Sequence, residues 1–447
     1  VLLLVEQAQV LGRKFDAVVA NPPYMGFSYF DPLLKDFVER VYQQAKSDLY
    51  ACFICRGVDF SRDGAFGGYI TIPNWMSLTS FDVMRSWLYG RTAIQTFSHN
   101  GRGVFGSDFG TCAFTFISSR LPDYVGLFKR LFDRPGSVNS NESIEKSFIV
   151  SKAYKACVKS FEKIPGKPVA YWVGDRVAAS FDFSASIGSV AKKGLSCSGT
   201  EKYYRFFWEI SLAKMAGFGG KKWFRIMKGG PYRKWFGNDE YCINWEDSGQ
   251  AIKKEKGAAI RNESYYFREA CSWNDVTNGP FSCRFVDSGA IPTDSGPAIF
   301  DSRQNLYRYA AVLNSSVAPK ILDVLCQTIH FGVGQIAKFP IPDFLVSPCE
   351  NVERLIEISR WDWNDRETAP GFLRLWLSNE VQPHERLADT WIRYEKYCLM
   401  SISELKEREE ENSRLLVSAY GLQGEISPDI SENEITLTRA DRAKDSQ

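Results

Sequence analysis

The sequence predicts an α/β fold. Three observations carry that reading: strand-like and helix-like segments alternate over residues 1–120, residues 165–345 are rich in aromatics, glycine and turns, and helical periodicity takes over after about residue 346. The 447 residues correspond to about three domains at roughly 150 residues each. Their expected bounds are 1–150, 151–345 and 346–447.

The elements follow in order. FDAVVA (15–20) is a short apolar run of strand type. It stops at Asn21-Pro22-Pro23-Tyr24, which no strand or helix interior tolerates. DPLLKDFVERVYQQA (31–45) has helical periodicity and an Asp-Pro start. SDLYACFICRGVDFSRDG (47–64) reads as a helix capped by Ser47 or Asp48 and stopped by Gly64. GGYITIP (67–73) is the next strand, SFDVMRSWLYG (80–90) the next helix, and AIQTFS (93–98) and TCAFTFIS (111–118) are further strands. This order implies a parallel or mixed sheet with helices on both faces. GRGVFG (101–106) has the G-x-G-x-x-G spacing, but a strand follows it rather than a helix. A phosphate needs the helix N-terminus, so this segment is expected to be a strand–strand loop. At the far end, residues 402–447 hold eleven acids and six bases. They are expected to form a solvated helix and a polar extension.

Composition narrows the class. The 55 Lys and Arg nearly cancel the 53 Asp and Glu, for a net charge of +2, which argues against a purely electrostatic nucleic-acid coat. No stretch approaches the roughly 18 apolar residues of a spanning helix, and the start lacks the basic region and cleavage site of a signal peptide. The expectation is a cytoplasmic protein without a membrane partner. Eleven Cys are scattered, and Cys52 and Cys55 have no second pair at ligand spacing. They are expected to be buried thiols in a reducing compartment, with no metal site. Three His leave little room for histidine-based chemistry.

The chemical signal is the Asn21-Pro22-Pro23-Tyr24 corner at the C-terminal end of a strand, where α/β sheets bind ligands. An exocyclic amine on an aromatic ring is a poor nucleophile because its lone pair is delocalised. The Asn21 amide oxygen and the Pro22 carbonyl each accept one of its hydrogens and turn the lone pair toward an electrophilic methyl. Successive prolines stiffen the loop and preorganise both acceptors. Tyr24 offers a face on which an unstacked base can lie. The competing reading of the same residues is a rigid turn leaving a strand.

A second signal is basic. Residues 201–236 hold nine Lys or Arg, two acids and eleven aromatics. Cations neutralise phosphates, Arg forks onto guanine edges, and aromatics stack or wedge. Arg225, Lys228, Arg233 and Lys234 are the leading DNA-contact candidates, joined by Lys221, Lys222 and Trp235. The competing reading is aromatics in a core with charges on a solvated face.

These residues carry a resemblance. FDAVVANPPYMG resembles motif IV of γ-class N6-adenine DNA methyltransferases. Residues 46–88 resemble the motif V–VI stretch of large restriction-modification methylases, and FGTCAFTFI (109–117) the region after it. YRKWFGNDEYCINWEDSG (232–249), SRWDWNDRETAPGF (359–372) and residues 410–441 resemble blocks of the PglX family, the methyltransferases of BREX phage defence. The resemblance covers most of the chain. It implies an incomplete Rossmann-like methyltransferase domain, an α+β target-recognition domain and a helical C-terminal region. It also implies S-adenosyl-L-methionine-dependent methylation of adenine N6 in double-stranded DNA, with other BREX or restriction-modification components as partners. Asn21 would border the cofactor as well as the base, and Phe109 would face the target base. Two alternatives stand beside it: a bifunctional type IIG restriction-modification enzyme, and a catalytically inactive DNA-binding fragment. The family holds its cofactor with a glycine-rich motif I and an acidic residue upstream of motif IV. Only 20 residues precede Asn21, and the first is Val. The chain is therefore expected to lack most of its cofactor pocket and to be cut at both ends.

Overall fold

The computed structural model describes residues 2–106, 109–132, 138–326, 329–342, 349–376, 378 and 386–439. His384 and the last eight residues of the acidic tail lie outside them. There are two compact units, Val1–Asp182 and Phe183–Gln447.

The first unit is built on β1 (Phe15–Ala20), β2 (Ser61–Thr71), β3 (Ala93–Arg102), β4 (Gly110–Ile117), β5 (Gly126–Arg130) and β6 (Tyr154–Ala156). They form one mixed sheet in the order β1-β2-β4-β3-β5-β6. β1 is parallel to β2 and β3 to β5, while β4 runs antiparallel to both β2 and β3. Its longer helices are α1 (Leu2–Gly12), α2 (Pro32–Val41), α3 (Leu49–Phe60), α4 (Asp82–Tyr89) and α5 (Asn141–Val150). Local chemistry sets their ends. The Asp31 carboxylate accepts the Leu34 N–H at 2.9 Å to start α2, and Asp48 caps α3. β3 and β4 are antiparallel neighbours, β3 ending at Arg102 and β4 starting at Gly110, so the G-x-G-x-x-G spacing spans the end of a strand and a strand–strand connection.

Alternation along the strands puts Tyr69, Phe97, Phe114, Phe116 and Phe128 into one core with Tyr50, Ile54, Met84 and Leu88 of the helices. Full burial of such side chains stabilises by roughly 1.5–3 kcal/mol each. The opposite sheet face mixes small and polar residues (Gly68, Thr96, Ser98, Ala113, Thr115) with the apolar Val19, Ile70 and Leu127, and lines a cleft of about 700 Å³ that Phe148 of α5 borders. Helices pack one face closely, while on the other face, where the sequence also predicted helices, α5 borders the cleft. Two further expectations shift. α3 ends at Phe60 rather than at Gly64, because the Ser61 hydroxyl donates to the Gly57 carbonyl at 2.8 Å and Ser61 already pairs with Phe15 of β1. The first unit continues past residue 150 to 182, because β6 adds to β5 and Val158, Phe161, Val169 and Tyr171 join the same core.

The second unit holds two four-stranded sheets. One runs Ala290–Pro292, Trp223–Met227, Tyr241–Asn244, Tyr204–Phe206. The other runs Cys283–Val286, Ala270–Trp273, Ala298–Ile299, Ala191–Lys192. Its helices include Arg303–Leu313, Ala318–Leu325, Cys349–Asn364 and Leu387–Ala419, so the described residues from 349 on fall within this compact unit. The charged run 403–416 is not simply solvated. Leu405, Glu409, Asn412 and Leu416 are buried, and their spacing of four, three and four turns one helix face inward.

Cys52 and Cys55 are buried on α3, and burial pushes the Cys52 thiol up to about 12, which keeps it protonated. Among the described residues no three His, Cys, Asp or Glu side chains are grouped to hold a metal ion. No helix among them is long and apolar enough to cross a membrane.

Candidate functional site

The corner after β1 stands at the C-terminal edge of the sheet. Asn21 and Pro23 are exposed, Pro22 is buried and Tyr24 is half-buried. The Tyr24 hydroxyl donates to Asn21 Oδ1 at 3.0 Å and lies 3.3 Å from the Ile70 carbonyl of β2. Burial, with Cys112 adding to it, raises the Tyr24 phenol above its ordinary value, so it remains a donor. Because β4 is antiparallel to β2, its start arrives at this same edge. There the Phe109 ring meets the Tyr24 ring edge-on, with centroids 5.7 Å apart. Phe109 is 44% exposed, leaving ring surface free for a guest. The sequence candidates Asn21, Pro22, Pro23, Tyr24 and Phe109 are thus brought together, although 85 residues of chain separate Tyr24 from Phe109.

A clamp holds the loop. The Asp48 carboxylate accepts the Met25 N–H at 3.0 Å and the Tyr50 N–H at 3.3 Å. Beside it the Leu49 N–H donates to the Met25 carbonyl at 2.9 Å, and the Phe27 N–H to the Ser47 carbonyl at 3.2 Å. Burial raises the Asp48 carboxyl above its ordinary range, and the backbone N–H groups pull it back. Sequence reasoning found Asp48 only as a helix cap. Its second role needs the loop and the start of α3 side by side, which no local pattern encodes. Tyr50 then presents its ring edge to Tyr24 at 6.1 Å and stacks on Phe81 at 5.8 Å.

The site can grip a planar amine. Asn21 Oδ1 is an exposed acceptor whose bound donor, the Tyr24 hydroxyl, has the Ile70 carbonyl as a second acceptor within reach. The Pro22 carbonyl receives no donor from the described residues. His99 is no candidate base: burial, and next the Arg130 charge, hold its imidazole down to about 3, so it is neutral.

The basic segment of the second unit divides. Arg233, Lys234 and Trp235 are 3%, 2% and 0% exposed. Arg233 binds Asp362 at 2.8 Å, and Lys234 and the Trp235 Nε1–H both bind the buried Glu409. These three therefore leave the set of DNA-contact candidates, since their donors are spent on internal partners. Arg225 is half-buried, bound to Asp239 at 3.2 Å and to the Ser288 carbonyl at 3.1 Å. Lys228 lies 3.9 Å from the Tyr241 ring centroid, and burial lowers its ammonium. Lys222 pairs with Glu246 at 2.7 Å, and Lys221 is exposed. Lys214, not among the sequence candidates, is exposed beside them.

Comparisons with known proteins follow this geometry. Residues 6–105 match the Eco57I restriction-modification methylase family. The chain is 32% identical over 404 residues to the adenine-specific methyltransferase BrxX of Escherichia coli O9:H4 (strain HS), covering 88% of this chain and 33% of that protein. It is 29% identical over 476 residues to the adenine-specific methyltransferase PglX of Lacticaseibacillus casei (strain Zhang), covering 99% of this chain and 39% of that protein. The chain thus spans 33% and 39% of the length of these curated relatives. Its fold is similar to that of the type IIL restriction-modification enzyme MmeI in complex with DNA, with a TM-score of 0.50 and 13% identity, over 93% of this chain and 55% of that one.

Proposed function

Because the chain belongs to the PglX/BrxX family, we propose that it is the base-holding and DNA-recognising part of a site-specific adenine N6-methyltransferase acting on double-stranded DNA in BREX or restriction-modification defence. The observation that carries the reading is the convergence of Asn21, Tyr24 and Phe109 at one sheet edge. The fold likeness to MmeI, whose structure is with DNA, supports duplex DNA as the substrate.

The chain's own groups suggest the following sequence. An adenine swung out of the duplex lies against Tyr24 beside the exposed face of Phe109, since its N6 is out of reach in the stack. Its amino hydrogens go to Asn21 Oδ1 and the Pro22 carbonyl. The Tyr24 hydroxyl, displaced from Asn21, keeps the Ile70 carbonyl as its acceptor. S-adenosyl-L-methionine, when bound, supplies the electrophilic methyl. The residues here fit its methyl-facing side alone: Asn21 is in place, but the described residues include no glycine-rich strand–turn–helix with an acidic partner for the adenosine and methionine. Residues on the full-length protein outside this chain would hold those parts.

In the full-length protein, Asn21→Ala removes one preorganised acceptor and should cut methylation about 100- to 1000-fold, as loss of a comparable oxyanion-hole group does. Tyr24→Ala should cost a similar amount through lost stacking. Quantifying N6-methyladenine in substrate DNA, with thermal unfolding as the folding control, tests both. Wild-type methylation in either variant would overturn the assignment.

A further inference from the structure

The second unit contains a cleft of about 820 Å³ lined by Lys214, Lys221, Lys222, Asp247, Ser248 and Phe267. Seven non-glycine residues among those described hold a positive φ, and three of them are here: Asp247 at 50°, Ser248 at 57° and Phe267 at 66°. Non-glycine residues resist this backbone region, a bulky aromatic most of all, and such strain gathers where a fold presents something to a ligand.

The fold enforces the strained geometry. Asn244 Oδ1 accepts the Glu246 N–H at 3.1 Å and sets up the turn. Gly249 closes it at φ 72°, pressed on the buried Trp245, where a Cβ would sit 2.4 Å from the ring. Phe267 is tied to a neighbouring strand by its N–H to the Ala290 carbonyl and by its carbonyl from the Gly289 N–H, both at 2.9 Å.

The Asp247 and Ser248 side chains are exposed and have no hydrogen-bond partner among the described residues. Lys214 and Lys221 are exposed and unpaired among them, while Lys222 is held by Glu246. Cations and a hydroxyl alone would suit a phosphate, but an exposed carboxylate repels one. A free carboxylate and hydroxyl set among cations suit a ligand that offers both amino donors and phosphates.

We propose that this cleft reads a base edge of duplex DNA. The Asp247 carboxylate accepts from the exocyclic amino group of cytosine or adenine in the major groove. Ser248 bonds beside it, Phe267 packs on an apolar edge, and Lys214 and Lys221 neutralise flanking phosphates. Asp247 is thus a specificity-determining residue, and the inference rests on the DNA-methyltransferase reading above.

The test uses the full-length protein. Mapping methylated adenines in genomic DNA gives the wild-type recognition sequence. Duplexes with that sequence then compete for binding with single-base-pair variants and with scrambled duplex. Asp247→Gly suits the left-handed backbone and removes the carboxylate. It should cut discrimination at one position about tenfold or more, without weakening binding to scrambled duplex, since a carboxylate facing phosphates is lost. Asp247→Asn, which tolerates the same φ, should shift the preferred base at that position. Joint Lys214→Ala and Lys221→Ala should weaken binding to every duplex alike and flatten its salt dependence. Wild-type discrimination at all positions in both Asp247 variants overturns this inference and leaves the methyltransferase reading intact. A wild-type protein that neither binds duplex nor methylates adenine overturns that reading and this one with it.

Discussion

Two short stretches, Asn21–Tyr24 and Arg233–Trp235, meet opposite environments in the fold. The first leaves β1 with its amide exposed and no buried charge to satisfy. The second is sunk in its unit, with Asp362 and Glu409 reached across 129 and 175 residues of chain. A proline corner is fixed by covalent geometry, so its form is local and readable. The availability of a cation is decided by whichever carboxylate tertiary structure brings to it. A basic, aromatic stretch therefore reads the same whether it faces a phosphate or its own acidic helix.

The largest expected effect tests the buried side of that contrast. Lys234→Ala leaves Glu409 without its cation in the interior and should destabilise the protein by about 3–5 kcal/mol in urea unfolding. Lys234→Met combined with Glu409→Gln removes both charges and keeps an acceptor for the Trp235 indole N–H, so it should lose less than Lys234→Ala alone. If Lys234→Ala instead kept full stability and lost DNA affinity, the contrast would be inverted.

A smaller effect is expected at the loop clamp. Asp48→Ala removes the α3 cap and the anchor of the Met25 N–H together. It should cost about 1 kcal/mol of stability. Methylation should also fall by about tenfold, since misplacing the corner spoils orientation. Asp48→Asn keeps a side-chain acceptor and should recover most of the activity. Steady-state kinetics beside unfolding curves separate the two effects, and an Asp48→Ala enzyme with wild-type kcat/KM would show that the corner holds itself in place.

What was legible in the sequence follows the same line. The strand–helix alternation of residues 15–118, the caps at Asp31 and Asp48 and the corner itself are short-range patterns, and the structure keeps them. The pairing of Tyr24 with Phe109 could be inferred through resemblance alone, since it depends on β4 running antiparallel. The unit boundary at 182 was hidden because β6 is three residues long and its pairing with β5 is non-local. The inward face of helix Leu387–Ala419 was masked by charge, although the four-three-four spacing of Leu405, Glu409, Asn412 and Leu416 was there to be read. The sequence offers only a general turn signal, Ser248-Gly249, for the left-handed turn, and it does not show that Asp247 and Ser248 themselves adopt positive φ.

The smallest expected effect sharpens the contrast within one helix. Glu404 precedes the buried Glu409 by five residues but lies at the surface, bound by Arg354 at 2.9 and 3.0 Å and by Arg408 at 2.9 Å. The Arg354 hydrogen bonds first, and then Arg408, hold its carboxyl down to about 2 against burial. A depressed carboxyl contributes stability that is present above the unfolded value near 4.5 and lost as pH falls toward 2. Solvent screens a pair this exposed, so the contribution should be about 0.2–1 kcal/mol and shrink further in high salt. Glu404→Gln should therefore leave stability at neutral pH nearly unchanged and flatten its decline between pH 4.5 and 2. Hydrogen exchange along Leu387–Ala419, followed across that range, reads this directly. Equal stability losses from Glu404→Gln and Lys234→Ala at neutral pH would mean that burial does not separate the two ion pairs.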